Sequence, residues 1–321
     1  MKKIFILVLC GILIFCAGCR NKTDSVENKI NIVVSAFPQY DFVREIAKDK
    51  AGVTLLLPPG SEAHSYEPSP GDIINIKEAD LFIAIGGESE HWVLHLLEGE
   101  ELKNTPTLKL MDFVTGYAEE HTEGMDQTHN SHSHIHTQEC EHHGEEEFDE
   151  HIWTSPQNAI IMCKTICDSL CEIDPENKEF YLGNLSSYTN KLEKLCNEYK
   201  TVRENAKRDT LIFGDRFPLR YLTEYLNLKY YAAFPGCSSK TEPSAKTVVF
   251  LTEKVKEKNI PVIFYMDYSD GRIAKTVAEE CKIKAMRLYS CHNLSGNDLK
   301  SGESYISLMK KNLNAIKEAL G

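Results

Sequence analysis

From residue 30 to the C-terminus, short unbroken apolar runs alternate with stretches whose apolar residues recur every three or four positions. "INIVVSAF" precedes "PQYDFVREIAKDK", "VTLLLPPG" precedes "SPGDIINIKEAD", and "LFIAIGG" precedes "ESEHWVLHLLEGE". A strand that is apolar on both faces must be covered on both, so such runs followed by helical patterns predict parallel sheets with crossover helices. The alternation returns in "DTLIFGD", "KYYAAFPG", "IPVIFYMD" and "IKAMRLYS", and closes on a helix over "SYISLMKKNLNAIKEALG". Between the two sets lie a helical stretch, "NAIIMCKTICDSLCEI", and a helix signal about thirty residues long. The latter opens at Asp174-Pro175, a cap followed by proline at the first position. The expectation is an α/β protein of two parallel-sheet lobes, 30–173 and 208–321, joined by one long rigid helix over 174–207.

Two segments break the pattern. The N-terminus, "MKKIFILVLCGILIFCAGCR", sets two lysines before an apolar run of about fifteen residues, which is short for a span of ~20. It reads as a secretory signal over 1–18, and "CAGC" resembles a bacterial lipobox with Cys19 as the lipid-bearing residue. Cys16 stands where that pattern usually has leucine. Residues 19–29 then form a polar tether, placing the protein on the outer face of the cytoplasmic membrane. The second break, over 119–150, is an insert rich in histidine and acid: His121, His129, His132, His134, His136, His142 and His143. Residues 110–163 carry twelve acids and no lysine or arginine, so nearly all of the formal charge of −12 sits there. No basic face remains for a nucleic acid. The insert reads either as a solvated spacer or as a string of weak, exchanging cation sites, imidazole binding borderline metals while carboxylates raise the local cation concentration.

Outside the insert, polar residues at strand ends are the candidates for chemistry, since open α/β sheets bind ligands there. His64 follows "VTLLLPPGSEA", His292 follows "MRLYSC", Asp215 follows "TLIFG", and His151 closes the insert in "DEHIWTSP". Two groups from each half of the chain would supply the four ligands of a closed tetrahedral site, and imidazole with carboxylate suits Zn²⁺ while tolerating Mn²⁺ or Fe²⁺. Asp215 reads equally well as the cap of a following helix. His91 and His95, one turn apart beside Trp92, read either as a helical metal pair or, with no third ligand nearby in sequence, preferably as an amphipathic helix face. Cys163, Cys167 and Cys171 repeat every fourth residue and read as small core residues on one helical stripe. Cys237 and Cys291 are the one pair worth testing as a bridge. Neither "HExxH" nor Gly-x-Ser-x-Gly occurs, which leaves a zinc hydrolase without its usual motif.

Six fragments in register, "PPGSEAHSYEPSPGDI", "ADLFIAIGGESEHWV", "DEHIWTSPQNA", "FGDRFPLRYL", "AAFPGCSSKTEPSA" and "SYISLMKKNLNAIKEAL", resemble the zinc/manganese ABC-transporter solute-binding lipoproteins over residues 30–321. The resemblance implies capture of Zn²⁺ between two lobes and delivery to an ABC permease with its ATPase, without catalysis. A Mn²⁺- or Fe²⁺-specific receptor and a surface adhesin are the alternatives within the family. His64 and His151 match the first two family histidines. The third position is histidine in zinc types and glutamate in manganese types, and Asp215 stands there. The fourth is a carboxylate in manganese types, and His292 is the choice here, with Glu62, Glu67 and Glu242 in reserve. Zinc-type relatives often carry a histidine- and acid-rich loop just before the second histidine, which favours the metal-scavenging reading of the insert.

Overall fold

The computed structural model describes residues 29–99, 102–125, 148–236 and 243–321. The leader, Cys19, the histidines 129–143, Cys237 and Glu242 lie outside the described residues. Each predicted apolar run forms a strand. In the first lobe β1 (Ile30–Val34), β2 (Ala51–Leu55), β3 (Leu81–Ala84) and a short β4 (Thr107–Lys109) lie in the order β2-β1-β3-β4, all parallel. In the second, β5 (Thr210–Phe217), β6 (Lys229–Pro235), β7 (Val262–Met266) and β8 (Lys284–Leu288) repeat that arrangement as β6-β5-β7-β8. In both sheets the first strand is central and successive crossovers leave it in opposite directions. Each lobe therefore has a topological switch point, at β1/β3 and at β5/β7, where the carboxyl ends of the strands open a crevice.

The helices start where the local chemistry allows. Helix α1 (Phe37–Ala47) begins with Pro38 in its first turn, and α2 (Pro70–Lys77) has a Ser69–Asp72 capping box. Helix α3 (His91–Glu98) follows β3 after two short turns, and α4 (Pro156–Ile173) is capped by Ser155. The long helix, α5, covers Lys178–Glu204. It starts later than Asp174-Pro175, because Pro175–Asn177 form a separate 3₁₀ turn. Asp174 tightens that turn: its carboxylate accepts from Asn177 Nδ2 at 2.8 Å and from Tyr181 Oη at 2.5 Å. The second lobe adds α6 (Arg220–Leu226), α7 (Ala245–Glu257), α8 (Arg272–Cys281), α9 (Gly296–Lys300) and α10 (Tyr305–Leu320). Among the described residues no helix is long and apolar enough to cross a membrane.

The lobes share a core instead of meeting at a hinge. Leu192, Leu195 and Tyr199 of α5 are buried with Phe42 of α1, Cys163 of α4 and Leu308 and Met309 of α10 in one apolar cluster. Buried hydrogen bonds stitch the same region. Tyr199 Oη donates to Met309 O at 2.8 Å, and Asp41 Oδ2 accepts from Tyr188 Oη at 3.2 Å and from Tyr305 N at 3.1 Å. Burial is the main reason that the Asp41 carboxyl is pushed up to about 6. Cys163 and Cys167 are buried and free, with Cys171 at the edge, as a core stripe requires. Cys291 is also a buried free thiol.

The first part of the insert is attached, unlike a free spacer. Glu120 pairs with Arg220 Nη1 at 2.6 Å and accepts from Tyr230 Oη at 3.2 Å, and Met125 is buried. Ala118 and Phe148 form an antiparallel bridge that closes the insert's neck. Because α5 draws its stability from the shared core, truncating it should be felt across both lobes. Leu192→Ala should destabilise the protein by about 2–5 kcal/mol, measured as a single cooperative transition in urea. Two separated transitions would show that the lobes fold independently.

Candidate metal centre

Four side chains from three separate segments converge between the switch points. His64 lies on the 3₁₀ turn Ala63–Ser65, carried there by the loop after β2. Glu150 and His151 leave the neck of the insert just ahead of the 3₁₀ turn Ile152–Thr154, which runs into α4. His292 follows β8. One potential ligand atom from each of these four residues lies within 4.8 Å of the others. The imidazole centroids form a nearly equilateral triangle: His64–His151 5.5 Å, His64–His292 5.7 Å and His151–His292 5.8 Å.

Local backbone and packing fix each ring. Cys291 sits in the left-handed region at φ 57°, a strained conformation for a residue with a side chain. That turn redirects the chain, so the His292 carbonyl meets Phe37 N at 3.1 Å, at the carboxyl end of β1. Asn293 Nδ2 donates to Pro58 O and Ser61 O, and Gly60 N to Leu294 O, which binds this second-lobe loop onto the first lobe. Trp153, fully buried, packs 4.6 Å from the His292 ring and 5.4 Å from His151, and its Nε1 donates to Ser290 O at 2.8 Å. Gly236 allows the wall to approach: a Cβ there would come within 3.4 Å of His151 Cε1 and 2.9 Å of Phe217 O. Gly87 does the same for Glu150, whose side chain would collide with any Cβ at that position.

The second layer determines how each group presents itself. Asp149 Oδ1 accepts from His151 N at 2.8 Å and lies 3.0 Å from His151 Nδ1. This holds the proton on Nδ1 and leaves Nε2 as the free donor atom, a common arrangement for metal-binding histidines. Burial alone would push His151 down, but Asp149, by charge and by hydrogen bond, with Glu150 behind it, moves it up overall. His292 is held well below the usual imidazole range, chiefly by burial and then by the neighbouring histidines and Arg216. His64 is lowered for the same first reason, with Glu150 and Glu62 partly opposing. Two of the three rings are therefore poised neutral, the form that binds metal.

Glu150 gives the clearest test of fit. Its Oε2 accepts from Ser89 N at 2.8 Å, but Oε1 is buried with no hydrogen-bond partner and lies 3.4 Å from His64 Nδ1. Native proteins rarely leave a buried carboxylate oxygen unsatisfied without a ligand to meet it. The separation matches the edge of a tetrahedron whose vertices lie ~2 Å from a shared centre, about 3.3 Å. The pocket onto which His64, His151 and His292 face is small, about 40 Å³, with room for an ion or a few waters. Arg216 closes one side of it, pairing with Glu62 of the other lobe at 2.9 Å.

His64, His151 and His292 meet as expected, and Asp215 does not join them. The β5 ladder shifts register between Phe213 and Arg216, and Asp215 lies on that irregularity. Its carboxylate turns back onto the sheet, accepting from Arg216 N at 2.8 Å and Met266 N at 3.2 Å. It caps no helix either, since α6 begins at Arg220. Glu150 is the ligand candidate that sequence reading passed over, hidden among the insert's acids. The one available signal was its place at the boundary between that polar run and the apolar "IWTSP". Of the reserve carboxylates, Glu62 pairs with Arg216 and Glu67 is exposed. His121 is exposed near the insert's start, and the other insert histidines lie outside the described residues.

Two α/β lobes on a shared core, with a nest of imidazoles and a carboxylate between them, define a bilobed α/β protein with a candidate cation site in its cleft. The family model described as zinc-uptake complex component A, periplasmic, matches residues 32–319, and the chain belongs to that family. It is 34% identical over 319 residues to the zinc-binding lipoprotein AdcA of Streptococcus pneumoniae R6, covering 99% of this chain but only 61% of that protein. It is 32% identical over 324 residues to the high-affinity zinc uptake system protein ZnuA of Bacillus subtilis 168, covering 99% of this chain and 97% of that one. The crystal structure of the Zn(II)-bound ZnuA-like domain of S. pneumoniae AdcA aligns with a TM-score of 0.74 at 32% identity, over 91% of this chain and 99% of that domain. A laminin-binding adhesin of Streptococcus agalactiae shares the fold, with a TM-score of 0.74 at 23% identity, over 91% of this chain and all of that one.

The role of Asp149 can be checked without any metal. In Asp149→Ala, loss of the carboxylate leaves burial as the dominant influence on His151, so its pKa should fall from above the ordinary value near 6.5 to below it. A histidine NMR titration of the chelator-treated protein reads this directly. Metal affinity of the same variant should drop by roughly 10–100-fold, as for other outer-shell partners.

Proposed function

We propose that this chain is the extracytoplasmic receptor of an ABC importer, capturing Zn²⁺ with His64, Glu150, His151 and His292 and delivering it to a membrane permease and its ATPase. The observation that carries the reading is the clustered quartet, three imidazoles and a buried carboxylate oxygen without a hydrogen-bond partner, their ligand atoms within 4.8 Å of one another. Nitrogen-rich, borderline-soft donors suit Zn²⁺ better than Mn²⁺, which prefers oxygen. The names of AdcA and ZnuA support the same cargo and the same transport role. A catalytic zinc keeps a position open to water and substrate, whereas four protein side chains here would fill a tetrahedral shell, so binding is the better reading than hydrolysis. Cys19 would tether the receptor to the outer face of the membrane, in keeping with the lipoprotein relative.

Competitive titration tests the assignment. The wild-type chain should take up one Zn²⁺ tightly and hold it far better than Mn²⁺. His64→Ala, His151→Ala, His292→Ala and Glu150→Gln should each weaken that equivalent by more than the 10–100-fold typical of an outer-shell change. Asp215→Asn should leave it within about threefold, because a group outside the ligand set acts only through modest local relaxation. Retention of full affinity by any two of the first four variants would refute the site.

A further inference from the structure

The four buried groups are not equally hidden, and the difference marks a direction of approach. The His64 side chain is 16% exposed, whereas those of Glu150 and His151 are each 1% exposed. His292 is walled in by Trp153 and by the loop it anchors to the first lobe. On the side of Arg216 and Pro218, the path is spanned by the Arg216–Glu62 pair, which puts a guanidinium in the way of any arriving cation. A second, larger groove of about 510 Å³ lies between α3 and the 64–68 turn. His64 is common to the walls of both spaces.

That second groove is lined by His91, His95 and Glu67, together with Trp92 and Tyr66. His91 and His95 are one turn apart on α3 and both are exposed on the groove side. Residues at i and i+4 on a helix have Cβ atoms about 5–6 Å apart, so two imidazoles so placed can chelate one ion. Two nitrogens with water in the remaining positions make a weak, fast-exchanging site, and a nearby carboxylate favours cations over anions.

The geometry points to a staging site: the His91–His95 pair takes up a borderline divalent cation in the outer groove and passes it across His64 to the buried quartet. The proposal rests on the receptor reading above, and it adds an entry route and two further metal-binding residues. Such a site is vacated in the final complex. It therefore lowers the barrier in both directions and leaves the final equilibrium alone.

The test uses the full chain, wild type against His91→Gln/His95→Gln, with Zn²⁺ as the probe. Stopped-flow loading and chelator-driven release should both slow by the same factor, about tenfold, within the range over which association at one site commonly varies. The dissociation constant of the tight equivalent should not move. In the zinc-loaded wild type, further Zn²⁺ should shift two histidine ring resonances that are missing from the variant. Unchanged rates, or resonances that stay still through ten equivalents, would overturn the staging site. A loss of tight affinity would overturn it too, by making the pair part of the final site. Failure of the receptor reading shows up separately, as full affinity retained in any two of His64→Ala, Glu150→Gln, His151→Ala and His292→Ala. Both substituted residues are exposed, and circular dichroism of the single variant His95→Gln guards against misfolding as the cause.

Discussion

Three imidazoles and a carboxylate brought within a few ångströms of each other, mostly out of water, carry a local penalty that a bound cation would relieve. Desolvation opposes every charged form, the rings repel when protonated, and one carboxylate oxygen has no donor at all. A divalent ion relieves all three at once. Much of the surrounding structure serves to hold the groups in place against this local penalty. The left-handed turn at Cys291, the Asp149–His151 contact and the ring of Trp153 each remove freedom from a side chain that would otherwise swing to solvent.

The same constraint explains why the lobes are fused through a core. His64, Glu150 and His151 belong to the first lobe and His292 to the second, so the quartet exists only while the lobes keep their relative position. Helix α5 and its partners α1, α4 and α10 supply that through a continuous apolar cluster. The 292–294 loop then pins the second lobe to the carboxyl end of β1 and to the loop after β2. The two repeated sheets place their switch points face to face, and the insert's neck crosses between them through Glu120 and Tyr221, whose hydroxyl donates to Asp149 O at 2.7 Å.

Much of this was legible in the sequence because it rests on local pattern. The apolar runs became strands, the proline- and serine-led stretches became helices, and His64, His151 and His292 stood at the ends of such runs. What escaped was set by long-range geometry. Strand β4 is three residues long and too short to show a period. Asp215 followed an apolar strand just as His292 does, but a register shift that leaves no mark in hydrophobic periodicity turned its carboxylate onto the sheet. Glu150 has the same residue type as other members of the acidic run, so residue type alone did not mark it. The contacts of residues 118–125 with the second lobe were equally hidden, since a polar stretch reads as solvated until Arg220 and Tyr230 are seen beside it.

The rod-like α5 has a consequence for the proposed role. A two-domain binder with a flexible waist signals its load by changing outline, closing like a shell. A body braced along its length keeps nearly the same silhouette full or empty. In the role proposed above, a docking partner would sense cargo from small differences at the lip of the cleft, where the 62–67 turn, the Arg216 side chain and the neck of the insert lie close together.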